Sequence, residues 1–403
     1  MKSYLILFFF LVTISLNAQW TESALGGDQY GYNLYSSDSE VIAATLNGVY
    51  RTTDNGNPWF NIGLQDRLVF DVIKSDQFIL AATEGTGPGV YRTSDNGITW
   101  LEAVGIENQS VRAFAKNSSY VFACTWSGGV FRSSDDGGTW ESVGETNAGF
   151  RCIYAVGETI FAGAGKVYFT TDNGDSWESR QLPYPASETW CFYYTNGILY
   201  AGNFGLYTST DMGDTWQLKY GVTFDNQGNA VDTKIIQDIT SYQNVLVASV
   251  SFYSIKISYD GGDNWVDFND GIMTDWTFMA LAIKEPYIWA LNNMGNAYYR
   301  PLTSLTEVKS NNLESPENYI LNQNYPNPFN PTTKITYSVP VNSNVTLKVF
   351  DPLGNEIKTL VNEEEPGGTY SVTWNAANLP SEIYFYRLQA DSFVETKKMI
   401  LLK

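Results

Sequence analysis

Short apolar runs recur along the first three quarters of the chain, six ending in a small residue, Val41–Ala44, Ile79–Ala82, Val121–Cys124, Ile160–Gly163, Leu199–Gly202 and Val245–Ser249, and a seventh at Ile288–Leu291. Each is too short for a helix and is bounded by turn residues, so each reads as a buried strand. After the first six comes an alternating segment, a tight turn and a tryptophan, as in the stretch from Val90 through Asp95-Asn96-Gly97 to Trp100. That turn chemistry predicts a hairpin. The six tryptophans (Trp59, Trp100, Trp140, Trp177, Trp216, Trp265) fall 41, 40, 37, 39 and 49 residues apart. A period near 40 with four short strands per unit predicts propeller blades.

The seventh run leads through Asn292–Gly295 into Ala297–Arg300 and stops without turn or tryptophan. Trp20-Thr21-Glu22-Ser23 reads like Trp140-Glu141-Ser142, so the N-terminus is expected to supply the missing outer strand. Seven blades over residues 19–302, closed by that exchange, leave no open edge; six or eight fit the count less well. Residues 303–318 are polar and patternless and read as a linker. Over residues 319–403, alternating strands at Lys334–Val339, Val345–Asp351, Glu356–Val361, Tyr370–Trp374, Ile383–Gln389 and Val394–Leu402 predict an antiparallel sandwich. The expected fold class is all-β: a seven-bladed β-propeller followed by a small immunoglobulin-like β-sandwich.

The turn of each repeat resembles the Asp-box (BNR) motif of sialidase-like, sortilin-like and photosystem-assembly-factor-like propellers. Thr93, Asp95, Gly97, Thr99 and Trp100 match it fully, as do the copies around Asp135, Asp172 and Asp211. The copy at Asp54 departs at Pro58 and that at Asp260 departs at Asn264. The chemistry of all six aspartates reads as structural. The carboxylate accepts N–H groups across its own turn, the glycine takes a positive φ, and the indole packs between blades. Calcium at Asp135-Asp136-Gly137 is rejected, since spaced carboxylates and a closing glutamate are missing.

A second resemblance covers the whole last domain. Asn324-Tyr325-Pro326-Asn327-Pro328-Phe329-Asn330-Pro331, the segment Val349–Gly354, Ile383–Leu388 and the ending Lys397-Lys398-Met399-Ile400-Leu401-Leu402-Lys403 resemble the C-terminal sorting domain of type IX secretion cargo. The resemblance implies the translocon and sorting machinery of that system as partners. It also implies a final place on the outer-membrane surface or outside the cell. Pro326, Asn327, Pro328, Lys397, Lys398 and Lys403 are the expected signal residues. Residues 1–18 read as a signal peptide, with Lys2, an apolar core Leu5–Leu16 and an exit at Asn17-Ala18-Gln19. That core is too short to span a bilayer, and no later segment reads as transmembrane.

Composition narrows the chemistry. Of 403 residues, 43 % are hydrophobic and 15 % aromatic, and the net charge is −19, nearly all of it before residue 319. Such a surface repels nucleic acid and anionic membrane. Histidine is absent, which removes Ser-His-Asp and Cys-His catalysis and every His-bearing zinc site. Cys124, Cys152 and Cys191 lack metal-ligand spacing and read as buried free thiols. No metal or cofactor is expected.

Propellers bind at the channel mouth, on loops entering each innermost strand and between the middle strands. Counting back eleven positions from the alanine of each small-residue marker gives one residue per blade: Tyr32, Phe70, Arg112, Arg151, Trp190, Gln237 and Met279. Two guanidiniums beside an indole suit a carboxylate or acidic sugar. The alternative places these side chains between blades, with their charges paired to Asp71, Asp238 or loop acids. No catalytic residue is assigned. Arg67, Arg112 and Arg151 can be read as a sialidase-like trio, but the expected Arg-Ile-Pro motif is missing, and paired acids cannot be picked without their separation. The leading reading is a binding module for carbohydrate or protein; a glycoside hydrolase is the alternative, and a scaffold without small ligand the third.

Overall fold

The computed structural model describes residues 19–402 apart from 27–29, 145–147, 184–187, 225–229, 306–317 and 366–367. The expected leader over residues 1–18, most of the linker and Lys403 lie outside the described residues. The chain divides into two compact units between Leu305 and Thr306.

The described residues of the first unit form seven four-stranded antiparallel sheets and one two-stranded hairpin, Val222–Phe224 with Ala230–Thr233. The innermost strands of the seven sheets are Gly31–Ser36, Val69–Lys74, Val111–Lys116, Cys152–Val156, Cys191–Thr195, Ile236–Tyr242 and Phe278–Lys284. Each touches the next in sequence, and the last touches the first, so the sheets close into a ring: a β-propeller. The second strand of each sheet is the most deeply buried; Val41–Thr45, Ile79–Thr83 and Val121–Thr125 are buried at every position. Alanine sits at the centre of each (Ala43, Ala81, Ala123). Neighbouring sheets pack on both of its faces, so near-continuous apolar sequence is required there.

The last sheet is completed by the other end of the chain. Thr21–Ala24 pairs antiparallel with Asn296–Pro301, in register from Thr21 against Tyr299 to Ala24 against Asn296. Trp20 anchors it: its ring is 2 % exposed, and its Nε1 donates to the Phe268 carbonyl at 2.6 Å.

The repeated turn owes its shape to its aspartate. Asp95 Oδ1 accepts the Thr93 hydroxyl at 2.7 Å and the Thr99 N–H at 2.9 Å, and Oδ2 accepts the Thr99 hydroxyl at 2.6 Å. Asp135, Asp172 and Asp211 repeat the pattern. Side-chain and backbone donation stabilises the charged form and pulls the carboxyls of Asp95, Asp172 and Asp211 down to about 2. At the sixth copy Asn264 substitutes for the hydroxyl residue, donating N–H at 2.9 Å and Nδ2 at 2.7 Å to Asp260. Asp54 departs from the expectation. Position 58 is proline, with neither N–H nor hydroxyl, and the Asp54 carboxylate caps no turn among the described residues; Thr52 holds that turn through Gly56 N–H instead. Glycine is required at Gly97, where φ is +86° and a Cβ would lie 1.9 Å from the Ile62 carbonyl oxygen.

Arginines at the repeated strand position before the turn reach sideways to the following sheet. Arg92 Nη1 donates to the Asp135 carbonyl at 3.0 Å, and Arg132 Nη1 donates to the Asn173 carbonyl and the Asp175 carboxylate at 2.8 Å each. They clamp neighbours at the end of the ring that carries the turns.

The second unit pairs a three-stranded sheet (Ile320–Leu321, Thr332–Val339, Gly368–Asn375) with a four-stranded one (Glu356–Glu365, Ser343–Phe350, Ile383–Ala390, Phe393–Ile400). Ile335, Tyr337, Leu347, Tyr386 and Leu388 lie in the core between them, as expected of a sandwich. Ile320–Leu321 escapes sequence reading because two residues show no alternation. The segment from Asn324 to Phe329 is tied to the end of the chain. Ile400 N–H donates to Asn327 Oδ1 at 2.9 Å, Phe329 N–H to the Ile400 carbonyl at 2.9 Å, and Leu402 N–H to the Phe329 carbonyl at 3.0 Å. Pro326 and Pro328 flank Asn327 in this stitch, and Asn324 Nδ2 secures it by donating to the Pro326 carbonyl and to Thr333 Oγ1. Lys397 pairs with Glu395 at 3.2 Å, and the Lys398 carbonyl accepts from Gln323 Nε2. The two segments that carry the sorting-domain resemblance, distant in sequence, are hydrogen-bonded side by side in the fold.

Candidate functional site at the channel mouth

The innermost strands enclose a central cavity of about 750 Å³, and Tyr32, Phe70, Arg112, Arg151, Trp190, Gln237 and Met279 all line it. The reason they share a level lies in the backbone. In five sheets the residue is the extra one at a register shift: Gly31 and Asn33 pair with Thr45 and Ala44, leaving Tyr32 unpaired, and Phe70, Arg112, Gln237 and Met279 occupy the same gap. Arg151 and Trp190 stand just before their strands and donate N–H to the Gly163 and Gly202 carbonyls, the same residues that face Cys152 and Cys191. Two residues therefore oppose one, and such a bulge re-aims a side chain.

The aromatic and cationic members of this ring alternate. The Arg112 guanidinium lies 3.9 Å from the Phe70 ring centroid and 4.8 Å from that of Trp126; Arg151 lies 5.0 Å from Trp126 and 5.8 Å from Trp190. Tyr32 extends the series with an edge contact to Phe70 at 5.1 Å and a tilted one to Tyr30 at 4.8 Å. Cation–π attraction fixes each guanidinium plane. The two arginines differ in charge partner. Arg151 Nε is ion-paired with Glu188 Oε2, which also accepts the Trp190 indole N–H at 3.1 Å. Arg112 has no carboxylate partner among the described residues, and its buried Nε has no hydrogen bond. Burial, with the Arg151 charge adding to it, lowers the Arg112 pKa. Gln237 Nε2 is held by Ser251 Oγ at 2.8 Å.

Neither Asp71 nor Asp238 pairs with an arginine. Asp71 Oδ1 accepts from Asn33 Nδ2 at 2.6 Å and Val72 N–H at 2.8 Å, and its Oδ2 accepts Phe114 N–H, on the next sheet, at 2.7 Å. Asp238 does the same with Ile239 N–H at 2.8 Å and Leu281 N–H at 2.7 Å. Both line the channel. Desolvation outweighs these bonds and pushes each carboxyl up to about 7. In each, one oxygen turns back onto its own strand's N–H while the other reaches the next sheet, at Phe114 or Leu281. Arg67, the third arginine of a sialidase-like trio, lies over the Tyr91 ring at 4.8 Å instead of lining the channel with Arg112 and Arg151. All three cysteines are buried and outside any disulfide, and burial raises their thiols, so they offer no reactive thiolate. Among the described residues no group of three or more ligand side chains is placed to hold a metal.

Sequence reasoning missed Trp126 and Glu188. Trp126 belongs to the turns between the two middle strands, which lie at the mouth end because their N–H groups bond the loop entering the inner strand: Leu46 to Tyr30, Trp126 to Ser110, Ser251 to Ile235 and Asn293 to Thr277. Leu46, Trp126, Phe252, Tyr253 and Met294 are exposed there. An apolar residue just past a buried strand's small-residue end was the available signal. Glu188 carried none, because a single loop acid has no periodicity.

Residues 323–402 match the family described as a secretion system C-terminal sorting domain. No curated protein matches the chain. Among solved structures, the chain is similar to YCF48 bound to D1 peptide (14 % identity, 70 % of this chain and 96 % of that one, TM-score 0.55). It is similar to PorZ, described as an essential bacterial surface component of the type IX secretion system of Porphyromonas gingivalis (13 % identity, 94 % of this chain and 60 % of that one, TM-score 0.54). The WD40 propeller domain of Doa1 is a third (12 % identity, 71 % and 97 %, TM-score 0.55). At these identities the likeness shows the propeller fold alone. No helix among the described residues is long and apolar enough to cross a membrane. The sorting domain marks the protein for export across the outer membrane, to the cell surface or the space beyond it.

Proposed function

We propose that the propeller is an extracellular binding module whose ligand, carbohydrate or surface protein, docks at the channel mouth. The observation that carries this reading is the ladder of Phe70, Arg112, Trp126, Arg151 and Trp190: four of these line one concave opening, and the exposed Trp126 packs against both guanidiniums. Aromatic faces and fixed guanidiniums at a cavity rim are binding chemistry. A fold gains little from two neighbouring like charges by themselves. Tyr32 and Gln237 complete the contact ring, and the sorting domain delivers the module to where such ligands are met. Residues 19–302, 303–318 and 319–403 divide the labour as propeller, linker and export domain, after removal of a leader at residues 1–18.

The test is a glycan array and surface-protein panel read with the secreted protein and with the double variant Arg112→Ala, Arg151→Ala. The double variant is expected to lose binding while its melting temperature stays within a few degrees. A large drop in melting temperature, or unchanged binding, returns both arginines to a structural role.

A further inference from the structure

The two mouth arginines are not equivalent, and the difference specifies the ligand. Glu188 already seats a carboxylate on Arg151, accepting from its Nε and from the Trp190 indole with one oxygen. Arg112 is clamped between the Phe70 and Trp126 faces, lines the cavity, and keeps a buried Nε without partner. A buried donor left unpaired is costly, and the guanidinium edge matches a carboxylate in shape and charge. The wall of the same cavity is lined by the hydroxyls of Tyr32, Tyr35, Tyr154, Tyr193, Thr240 and Ser241, and by Asp71 and Asp238, whose carboxyls are taken up by backbone N–H groups. Tyr193 Oη and Ser241 Oγ, 2.9 Å apart, bridge two sheets on that wall. A hydroxyl-lined wall with one unpaired cation at its rim suits a sugar that carries an acid group.

We propose that Arg112 is the anion receptor of the channel, that it takes one carboxylate of an acidic oligosaccharide, and that Glu188 is an internal competitor that withholds Arg151 from the ligand. This rests on the mouth being the binding site and adds to it the ligand's charge, the residue that reads it and the residue that limits it. Without any ligand, the faces of Trp126 and Trp190 are already held by Arg112 and Arg151. The site is therefore built before binding, and a single carboxylate completes it.

The experiment is isothermal titration of the full-length protein with a uronic-acid tetrasaccharide, its carboxyl-reduced neutral counterpart, and a tetrapeptide with a free carboxyl terminus. Each is run at low and at physiological salt. The wild type is expected to bind the uronate at least tenfold more tightly than the neutral sugar, with affinity falling as salt rises. Arg112→Gln is expected to remove that preference, whereas Arg151→Gln leaves it within about threefold. Glu188→Gln, which frees Arg151 for a second carboxylate, is expected to tighten uronate binding severalfold while leaving the neutral sugar unchanged. Melting temperatures and far-ultraviolet dichroism of the three variants show that each still folds. Equal binding of the two sugars, or preferential binding of the peptide, overturns the ligand assignment while the mouth stays a binding site. Loss of uronate preference in Arg151→Gln but not in Arg112→Gln overturns the receptor assignment. Unchanged or weaker uronate binding in Glu188→Gln overturns the competitor role. Binding of none of the three probes overturns the mouth reading itself.

Discussion

Asp71 offers a measurable pH signature. It is 5 % exposed and accepts three hydrogen bonds, yet desolvation raises its carboxyl from 3.8 to about 7. The unfolded chain ionises this group near its ordinary value, so folding takes up a proton between the two. Its contribution to stability is complete below about pH 4 and is lost as the pH rises through about 7. Each pH unit well inside that window is worth about 1.4 kcal/mol, less near its upper end where the folded carboxyl itself ionises, so stability should fall by roughly 2 kcal/mol between pH 5 and pH 7 from this residue. Asp238 acts in the same direction, since burial raises its carboxyl to about 7 as well. The window is unusually clean because the chain has no histidine. The lowered turn aspartates act in the opposite sense, losing their contribution only as the pH falls through about 2. Urea unfolding at half-unit steps from pH 5 to pH 8, on the wild type and on Asp71→Asn, isolates the effect as a difference in slope. The asparagine variant should be flatter by about one proton between pH 5 and 7, whatever its absolute stability. Equal slopes in the two proteins would refute the claim that burial, and not the three donors, governs this carboxyl.

Three further outcomes are expected. Removing residues 19–24 strips the last sheet of its outer strand and the buried Trp20, at a cost of several kcal/mol, seen as a lowered melting temperature and early proteolysis near Asn296. A chain lacking residues 306–403 should fold with the same near-ultraviolet dichroism per tryptophan environment yet remain in the periplasm on cell fractionation. Asp95→Ala should lower the melting temperature whereas Asp54→Ala leaves it in place, because only the first carboxylate bonds its turn.

Much of this architecture was legible because propeller blades repeat their burial problem. A strand packed on both faces must be apolar throughout and small at its centre, so Ala43, Ala81 and Ala123 served as fiducials. Counting from them reached the mouth residues without knowledge of the register. The bulge was invisible in that count, since an extra residue changes pairing without changing spacing from sheet to sheet. Charge pairing was the weakest inference. Arg112 and Arg151 look alike in sequence, and only three-dimensional placement shows that Glu188 neutralises one of them. The alternative reading offered Asp71, Asp238 or loop acids as counter-ions; a loop acid, Glu188, takes that part for Arg151, whereas Asp71 and Asp238 serve backbone N–H groups on adjacent sheets, a role that alternation of polar and apolar residues does not encode.

Residues at a bulge owe nothing to a partner across the ladder. Tyr32, Phe70, Arg112, Gln237 and Met279 are each the unpaired member of their strand, so exchanging one leaves the hydrogen bonds of its neighbours in place. The mouth is in effect a panel of interchangeable positions mounted on a frame that does not register the exchange. If the mouth binds as proposed, mutational drift can rewrite what it recognises, one sheet at a time, without reopening the question of how the ring closes. Libraries varied at these positions alone should therefore yield mostly folded proteins with divergent ligands.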